Sequence, residues 1–382
     1  KIKKIKKNIS YISDIKNNDL LILDKKKFYN ISGLKNISKL DIIIICLPTP
    51  LKKNISPDMS YIKTCFNQIF NYLRTNQTLI LESTVYPGAT KDLFFKKLNN
   101  KFKIGKDFFI GYSPERINPG IKGKIQYSDT TKVVSGYSTN CKKIVKNFYK
   151  LIFKKVHITK SIEIAELSKL YENVYRSVNI GLANQIKMIT DKMSINIHDV
   201  INASSTKQFG FTKFIPGPGM GGHCIPIDPL FLSWIAKKNK SNTKFIDLAR
   251  QVNVDITKWI NFKILKYLKR NNKKKILLVG MAYKKNVNDD RESPSKVIFK
   301  FFKDRKFQID YYDPLISITN IEKKNFKSLK KLTKKRILEY DVVVIGVDHD
   351  IINFDIIYNY SKFIFDTRGV YSNKISKNLV HC

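Results

Sequence analysis

The sequence is poor in cysteine and has no long apolar run. Its five cysteines stand singly, without CxxC spacing, which argues against a disulfide framework and against a zinc ribbon. No apolar run reaches the roughly 18 to 20 residues that a membrane-spanning helix needs, and the basic first residues lack the apolar core of a signal peptide. These absences predict a cytoplasmic protein with no membrane span and no bound metal.

Acidic residues are also scarce, since 31 Asp and Glu stand against 71 Lys and Arg in 382 residues, a formal net charge of +40 at pH 7. Such a surplus is typical of proteins that neutralise nucleic-acid phosphates. Only nine of the basic residues are Arg, however, which base and phosphate recognition favours, and the lysines are spread over the whole chain. We interpret the charge as compositional and expect no nucleic acid among the partners. Nucleic-acid binding is therefore the least favoured of the three candidate functions.

Short apolar runs that end in turn residues alternate with helical stretches near both ends of the chain. Continuous β-branched and aromatic runs of this kind indicate buried parallel strands of a doubly wound sheet. The predicted strands are 41–47, 78–81 and 108–112 in the first third, and 275–279, 308–312, 341–345 and 363–365 near the end. The predicted fold class is therefore α/β, with two Rossmann-like doubly wound domains.

A long helical segment is predicted between the two α/β regions. Apolar residues recur at three- and four-residue steps over 161–191, and no proline interrupts them. At roughly 1.5 Å per residue such a helix is about 45 Å long, enough to join two domains and to pack against a partner subunit. On the same helix, Glu166, Lys169 and Asn173 form a polar stripe, which taken alone is most simply interpreted as an exposed salt-bridging face.

Two Gly-rich segments are candidates for chemistry. The first, PGPGMGGHCIPIDP (216–229), places Cys224 in a glycine-rich loop four residues before Asp228. It lacks the Gly-Lys-Ser/Thr of a nucleotide P-loop and has no second ligand pair at zinc spacing. A thiol nucleophile with a nearby carboxylate remains, although a lone cysteine is more often a buried structural thiol. The second segment, GMAYKK through DRESPS (280–295), follows a predicted strand and is a plausible phosphate site at a helix N-terminus.

Six motifs, in this order, resemble the UDP-glucose/GDP-mannose dehydrogenase family: ESTVYPGAT (82–90), GYSPERINPG (111–120), ELSKLYENVYRSVNI (166–180), PGPGMGGHCIPIDP (216–229), GMAYKKNVNDDRESPS (280–295) and FDTRGV (365–370). The sequences of these motifs are most similar to those of the UDP-N-acetylglucosamine 6-dehydrogenase branch, and the match covers essentially the whole chain. The resemblance implies an NAD-binding domain at 1–158, a central helical dimerisation domain with one long helix at 159–270 and a UDP-sugar-binding domain at 271–382. It also implies NAD as cofactor, a UDP-sugar as substrate and a homodimer or higher homo-oligomer.

The same resemblance assigns roles to individual residues. Members oxidise a sugar CH2OH to a carboxylate in two NAD-dependent steps, and their nucleophile matches Cys224, which would form a thiohemiacetal and then a thioester. The other implied catalytic residues are Lys169, Asn173, Glu115, Asp228 and Thr84. The implied cofactor-binding residues are Thr49, Thr84, Glu115 and Arg291. The implied substrate-binding residues are Glu115, Arg116, Lys169, Asn173, Lys213, Gly221, Lys284 and Arg368.

The beginning of the chain departs from the family pattern. Members open with a strand, a Gly-x-Gly-x-x-Gly loop and a helix whose N-terminus binds the cofactor pyrophosphate. Residues 1–15 instead resemble the portion of the family pattern that lies after that unit, so we expect the first βαβ unit to be missing from this chain. A truncated, catalytically impaired nucleotide-sugar-binding remnant is therefore the alternative to an active enzyme, and UDP-N-acetylmannosamine and UDP-glucose are the alternative substrates.

Overall fold

The computed structural model describes residues 4–5, 7–10, 15, 17–22, 33–116, 129–222 and 225–382. The chain divides into two compact units. The N-terminal unit consists of Lys1–Asn173 and Ile227–Thr243, and the C-terminal unit consists of Val174–Pro226 and Lys244–Cys382.

A five-stranded sheet forms the centre of the N-terminal unit. Its strands lie side by side in chain order: β1 (Ile42–Ile45), β2 (Gln77–Leu81), β3 (Phe108–Tyr112), β4 (Lys132–Gly136) and β5 (Val156–Ile158). All neighbouring pairs are parallel except β3 and β4. Every residue of β2 is buried, as expected for a central strand of a sheet that is covered on both faces.

Helical connections link these strands, because parallel neighbours need a crossover. They are α1 (Ser60–Phe70), a π-helical turn (Lys91–Phe95) that continues into α2 (Lys96–Asn99), and α3 (Thr139–Lys150). In α1 the buried residues Ile62, Phe66 and Ile69 follow a helical spacing and join the core. The side chain of Ser138 accepts a hydrogen bond from the Cys141 N–H, which caps the start of α3.

The helices α4 (Ile162–Lys192), α5 (Ile197–Ser204), α6 (Asp228–Lys238) and α7 (Lys244–Arg270) occupy the middle of the chain. The 31 residues of α4 confirm the predicted long helix. Its predicted apolar stripe is only partly buried, however, since Leu167 is 41% and Leu182 58% exposed. The polar residues Glu166 and Lys169 are buried. The interpretation of the polar stripe as an exposed salt-bridging face is therefore wrong.

A second five-stranded sheet lies in the C-terminal unit. Its strands are β6 (Lys275–Val279), β7 (Gln308–Tyr312), β10 (Val342–Ile345), β11 (Ile364–Asp366) and β12 (Leu379–His381), all parallel, in the order β12-β11-β10-β6-β7. The strand order reverses between β6 and β10, and in such sheets ligands bind beyond the carboxyl ends of the strands at this reversal.

The remaining elements of the C-terminal unit are a hairpin of β8 (Ile318–Ile321) and β9 (Lys324–Lys327) and the helices α8 (Pro294–Asp304), α9 (Lys334–Leu338) and α10 (Phe354–Tyr360). Ser293 caps α8, and Pro294 stands at its first position, where a missing N–H costs nothing. Apolar side chains from α7, α8 and the sheet, among them Ile260 and Phe299, form one core cluster.

The predicted α/β class is confirmed, and the seven predicted strands correspond to β1, β2, β3, β6, β7, β10 and β11. The short strands β4, β5 and β12 and the hairpin were not predicted. Within the part of the chain that the structure describes, no helix combines the length and apolar character that crossing a bilayer requires.

Candidate active site

The carboxyl ends of β1 and β2 are joined by side-chain hydrogen bonds in the N-terminal unit. The Thr49 hydroxyl donates to the Thr84 carbonyl at 2.7 Å. The Ser83 hydroxyl accepts from the Leu47 N–H at 2.9 Å and donates to the Leu47 carbonyl at 2.7 Å. Thr84 is thereby held in a fixed position at the edge of the sheet where ligands of parallel sheets bind.

Glu115 follows β3 and belongs to a network of charged groups. Its Oε2 lies 3.1 Å from Nζ of Lys132, whose ammonium also lies 3.0 Å from Oε1 of Glu82. Lys132 is only 5% exposed, so its charge is balanced almost entirely by these two carboxylates. The Tyr149 hydroxyl donates to the same Glu82 oxygen at 2.5 Å. The network orients the Glu115 carboxylate while leaving it partly open to solvent.

Arg116 is held against α4. Its Nε and Nη2 lie 3.1 Å and 2.5 Å from the two carboxylate oxygens of Glu172, and its Nη1 donates to the Thr131 carbonyl at 3.0 Å. A planar guanidinium fork makes such two-pronged contacts with a carboxylate. The guanidinium of Arg116 is therefore already engaged by protein groups.

The buried polar face of α4 carries Glu166 and Lys169. The Lys169 ammonium donates to the backbone carbonyl of Glu115. The Glu166 carboxylate accepts from the Gly88 N–H at 2.5 Å, the Thr90 N–H at 2.8 Å and the Thr90 hydroxyl at 2.7 Å. Burial raises the pKa of Glu166 to about 7, although these hydrogen bonds favour the ionised form. The α4 helix is thus bonded both to the turn after β2 and to the loop after β3.

Asp228, the first residue of α6, faces the same polar surface. Its side chain is buried, and Asn173 Nδ2 donates to its Oδ2 at 2.6 Å. Burial raises the pKa of Asp228 to about 6, against the opposing effects of the Lys169 charge and the Asn173 hydrogen bond. A carboxyl group whose pKa lies near neutrality can take up and release a proton at physiological pH, as a general base must.

In the C-terminal unit, Arg368 lies beyond the carboxyl end of β11. Its Nε donates to the Gly346 carbonyl at 2.8 Å, and its backbone N–H donates to Asp366 Oδ1 at 3.0 Å. A Cβ on Gly217 would stand only 2.9 Å from Nη1 of Arg368. The glycine-rich segment therefore passes directly against this guanidinium, which a side chain at residue 217 would displace.

The same glycine-rich segment packs against the turn after β6. A Cβ on Gly221 would stand 2.7 Å from the Glu292 carbonyl oxygen and 2.8 Å from Cβ of Tyr283. The Gly222 N–H donates to the Arg291 carbonyl at 3.0 Å, while the Arg291 side chain pairs with Asp289, its Nη2 lying 2.6 Å from Oδ2. His223 and Cys224 lie outside the described residues.

The two remaining predicted residues, Lys213 and Lys284, also lie in the C-terminal unit. Lys213 is exposed, and its ammonium donates to Asn202 Oδ1 at 2.9 Å. Lys284 is half-buried in the turn after β6. Among the described residues, no group of three or more His, Cys, Asp or Glu side chains could hold a metal ion.

Three family models match the chain in succession. The NAD binding domain of the UDP-glucose/GDP-mannose dehydrogenase family matches residues 1–153, its central domain matches 163–255, and its UDP binding domain matches 277–373. The chain belongs to this family. The family predicted by the six sequence motifs is thus confirmed, and with it an NAD-dependent UDP-sugar dehydrogenase, an oxidoreductase whose cofactor is NAD.

Individual relatives agree with this assignment. The chain is 30% identical to a UDP-N-acetyl-D-mannosamine dehydrogenase of Methanococcus maripaludis, over 97% of this chain and 87% of that one. It is 33% identical to a UDP-N-acetyl-D-glucosamine 6-dehydrogenase of Pseudomonas aeruginosa, over 75% of this chain and 68% of that one. The solved structure of a UDP-D-ManNAc dehydrogenase from Pyrococcus horikoshii is similar with a TM-score of 0.85 and 26% identity, covering 99% of this chain and 89% of that chain.

Three residues that the resemblance assigns to the cofactor lie just beyond the carboxyl ends of neighbouring strands. Thr49, Thr84 and Glu115 follow the neighbouring strands β1, β2 and β3, and ligands of parallel sheets bind beyond these carboxyl ends. The sequence motifs contained Thr84 and Glu115, and Thr49 lies in the turn that ends the first predicted strand. Sequence reasoning missed Lys132, for which the motifs carried no signal, and it assigned Glu166 to an exposed helix face although this residue is buried.

Proposed function

We propose that the protein oxidises the C6 hydroxymethyl group of UDP-N-acetyl-D-glucosamine to the uronate in two NAD-dependent steps. The observation that carries this proposal is the polar face of α4, where Lys169 contacts the Glu115 backbone and Asn173 contacts Asp228. Oxidation of an alcohol to an acid needs a cation for a developing oxyanion and a base for a proton. An ammonium and a carboxyl group of near-neutral pKa are suited to these two tasks.

Cys224 is the proposed nucleophile. NAD, when bound, would accept the two hydrides that leave C6. Asp228 would take the proton of the C6 hydroxyl as the alcohol becomes an aldehyde. The Cys224 thiolate would then add to the aldehyde carbon, with Lys169 stabilising the thiohemiacetal oxyanion. After the second oxidation gives a thioester, water would hydrolyse it to the carboxylate and the free thiol. The covalent bond explains why the aldehyde would not be released between the two oxidations.

Glu115 and Thr84 would act in the hydrolytic step. Lys132 holds the Glu115 carboxylate by an ion pair of 3.1 Å, which leaves it oriented for taking a proton from the attacking water. The Thr84 hydroxyl would contact water or the nicotinamide, with Thr49 holding the Thr84 backbone at 2.7 Å. Asn173 keeps the Asp228 carboxyl in place.

The C-terminal unit would bind the nucleotide part of the substrate. The UDP binding domain of the family covers Lys284 and Arg368. Both residues lie beyond the carboxyl ends of the parallel sheet, where its strand order favours a ligand. Gly221 keeps the approach to the turn after β6 free of a side chain. Lys213 and Arg116 are further proposed substrate contacts, and Arg291 is a proposed cofactor contact.

We also propose a homodimer formed through α4. Leu167, Tyr171, Leu182 and Ile189 of this helix are more than two-fifths exposed in the single chain. Large apolar side chains that recur along one helix are typical of an interface. Sedimentation should show a dimer, and L182E should shift it toward a monomer.

A cytoplasmic location and the three-domain division at 1–158, 159–270 and 271–382 stay predictions.

UDP-N-acetyl-D-mannosamine is the second candidate substrate. Similarity to the Methanococcus and Pyrococcus proteins favours it, while similarity to the Pseudomonas protein favours the glucosamine epimer. The two sugars differ only in the configuration at C2, which leaves the C6 chemistry unchanged.

The experiment supplies purified protein with NAD and, in parallel, the two UDP-N-acetylhexosamines and UDP-glucose. Two NADH per sugar with the uronate as product is the expected result, and the preferred sugar identifies the substrate. C224A should lose uronate formation, whereas C65A, which alters a half-buried thiol on α1, should keep the parental rate. Sugar binding without NADH would support the impaired remnant instead, and uronate formation by C224A at the parental rate would exclude the thioester mechanism.

A further inference from the structure

One buried side-chain pair joins three neighbouring strand ends in the C-terminal unit. Asp313 directly follows β7, His349 lies four residues beyond β10, and both side chains are fully buried, with a His349 Nε2 to Asp313 Oδ2 distance of 3.2 Å. Between these strands lies β6. The pair therefore spans the end of β6, from which the turn containing Lys284 emerges.

The hydrogen bonds define the protonation of His349. The backbone N–H of Asn286 donates to Nδ1 at 2.9 Å, so Nδ1 carries no proton. Nε2 must then carry the proton and donate it to the Asp313 carboxylate. A neutral imidazole satisfies both partners, whereas a protonated ring would turn a donor toward the Asn286 N–H.

The Asp313 carboxylate holds the first part of the turn. Its Oδ2 accepts from the N–H groups of Met281 at 2.6 Å and Ala282 at 3.0 Å, and its Oδ1 accepts from those of Leu315 and Ile316. Burial opposes ionisation of Asp313, but the hydrogen bonds from His349, Met281 and Ala282 outweigh it, and the pKa of Asp313 lies below its usual range. The carboxylate is thus an ionised, fully bonded anchor.

His349 holds the last part of the turn through Asn286. The Asn286 side chain adds a reciprocal pair with Asp350, its Nδ2 donating at 2.6 Å and its Oδ1 accepting from the Asp350 N–H at 3.0 Å. Asn286 has a positive φ of 59°, a conformation that Asn tolerates better than most residues. Lys284 lies midway between the two anchored ends, two residues from Ala282 and two from Asn286.

The ring itself is unsuited to proton transfer with a ligand. Both nitrogens are occupied by protein groups, and the side chain is buried. Its effect on a ligand must therefore pass through the turn that it holds.

We propose that His349 is a positioning residue which, together with Asp313, holds the 281–286 turn so that Lys284 is presented to the diphosphate-linked part of the UDP-sugar. This inference rests on the proposed function, because the ligand of Lys284 is taken from it. It adds two residues, contributed by the loops after β7 and β10, to the determinants of nucleotide affinity.

The test is a double-mutant cycle in which UDP alone binds the whole protein, measured by calorimetry without turnover. H349L should weaken UDP binding about 10-fold, the size of one displaced charge-assisted hydrogen bond, and should leave the affinity for NAD, measured in the same way, unchanged. In a K284A background, H349L should change UDP affinity less than about 2-fold, because the two residues act on the same contact. The exposed His157 on β5 provides the matched control, since H157L should bind UDP like the parent.

Two further variants decide the matter if H349L does not fold. The amide oxygen of Asn takes the position of Nδ1 and can accept from the Asn286 N–H, whereas the Gln amide reaches only the position of Nε2, beside Asp313. H349N should therefore keep UDP affinity better, and H349Q should lose about 5-fold or more. Equal affinity of these two variants, or multiplicative effects of H349L and K284A, would overturn the inference. If the parent does not bind UDP, both this inference and the proposed function are overturned. If the parent binds UDP but produces no NADH, only the proposed function is overturned.

Discussion

Replacing Glu166 with Gln should change how the stability of the N-terminal unit depends on pH. The carboxyl group is 0% exposed, and burial raises its pKa from 4.5 to about 7. At about 1.36 kcal/mol per unit of pKa shift, a shift of this size corresponds to about 3 kcal/mol of the free energy of unfolding. Because the pKa is raised in the folded state, this stabilising contribution is complete below about pH 4.5 and is lost as the pH rises through about 7.

The E166Q side chain is neutral at every pH and resembles the protonated carboxyl group in shape. Relative to the parent, its free energy of unfolding should therefore rise by about 3 kcal/mol between pH 4.5 and pH 8. At any one pH, the free energies of unfolding of the two proteins also differ because the hydrogen bonds to Gly88 and Thr90 are altered. The way in which this difference changes with pH reports only the ionisation of Glu166.

Urea unfolding followed by tryptophan fluorescence is the assay. The chain has two tryptophans, and a W259F background leaves Trp234, which packs against Tyr86 with ring centroids 4.9 Å apart. Trp234 belongs to the N-terminal unit and reports its unfolding. E339Q, at the exposed residue that follows α9 in the C-terminal unit, is the control, and the unfolding that Trp234 reports should follow that of the parent at every pH. Parallel curves for the parent and E166Q would refute the raised pKa.

Three other predictions concern the candidate site. Since the pKa of Asp228 is about 6, kcat/KM for the UDP-sugar should fall as the pH drops through 6, and D228N should lose both most of the activity and this acidic limb in a pH profile. K132M should remove the ammonium that lies between the Glu82 and Glu115 carboxylates and lower the free energy of unfolding by about 3 kcal/mol, whereas K132R should lose less than half as much, as measured by urea unfolding. G221A should raise the KM for the UDP-sugar at least about 10-fold, because its Cβ would stand within 2.8 Å of the turn after β6, while G33A, whose Cβ would meet only Asn36 Nδ2 at 3.6 Å, should leave that KM unchanged.

Much of the fold could be predicted because its signals are local. Strands such as β1 and β10 are unbroken β-branched runs that end in turn residues, and α4 is a proline-free helical repeat. Strands β4 and β5 were missed, since the sequences of five and three residues that form them lack such a run. Their place in the sheet depends on pairing with β3 and with each other, which connects distant parts of the chain.

The candidate site was predictable only as a set of residue identities. The motifs named Lys169, Asn173 and Asp228, but periodicity placed the first two on an exposed helix face. The structure buries that face because Glu166 is bonded to the turn after β2 and Asn173 to the start of α6. A helical repeat states which residues share a face, but it does not state what covers that face.

The amino-acid sequence was sufficient for the α/β class, the long helix and the family, because each depends on short-range patterns and on motifs whose residues are adjacent. Tertiary structure was needed for the charge states of the buried side chains and for the hydrogen bonds that hold the 281–286 turn. The near-neutral pKa of Asp228 arises from burial, and the neutral form of His349 from Asn286 and Asp313, which are 63 and 36 residues away in the chain. Burial and hydrogen bonding act between groups that only folding brings together, so no local pattern encodes them.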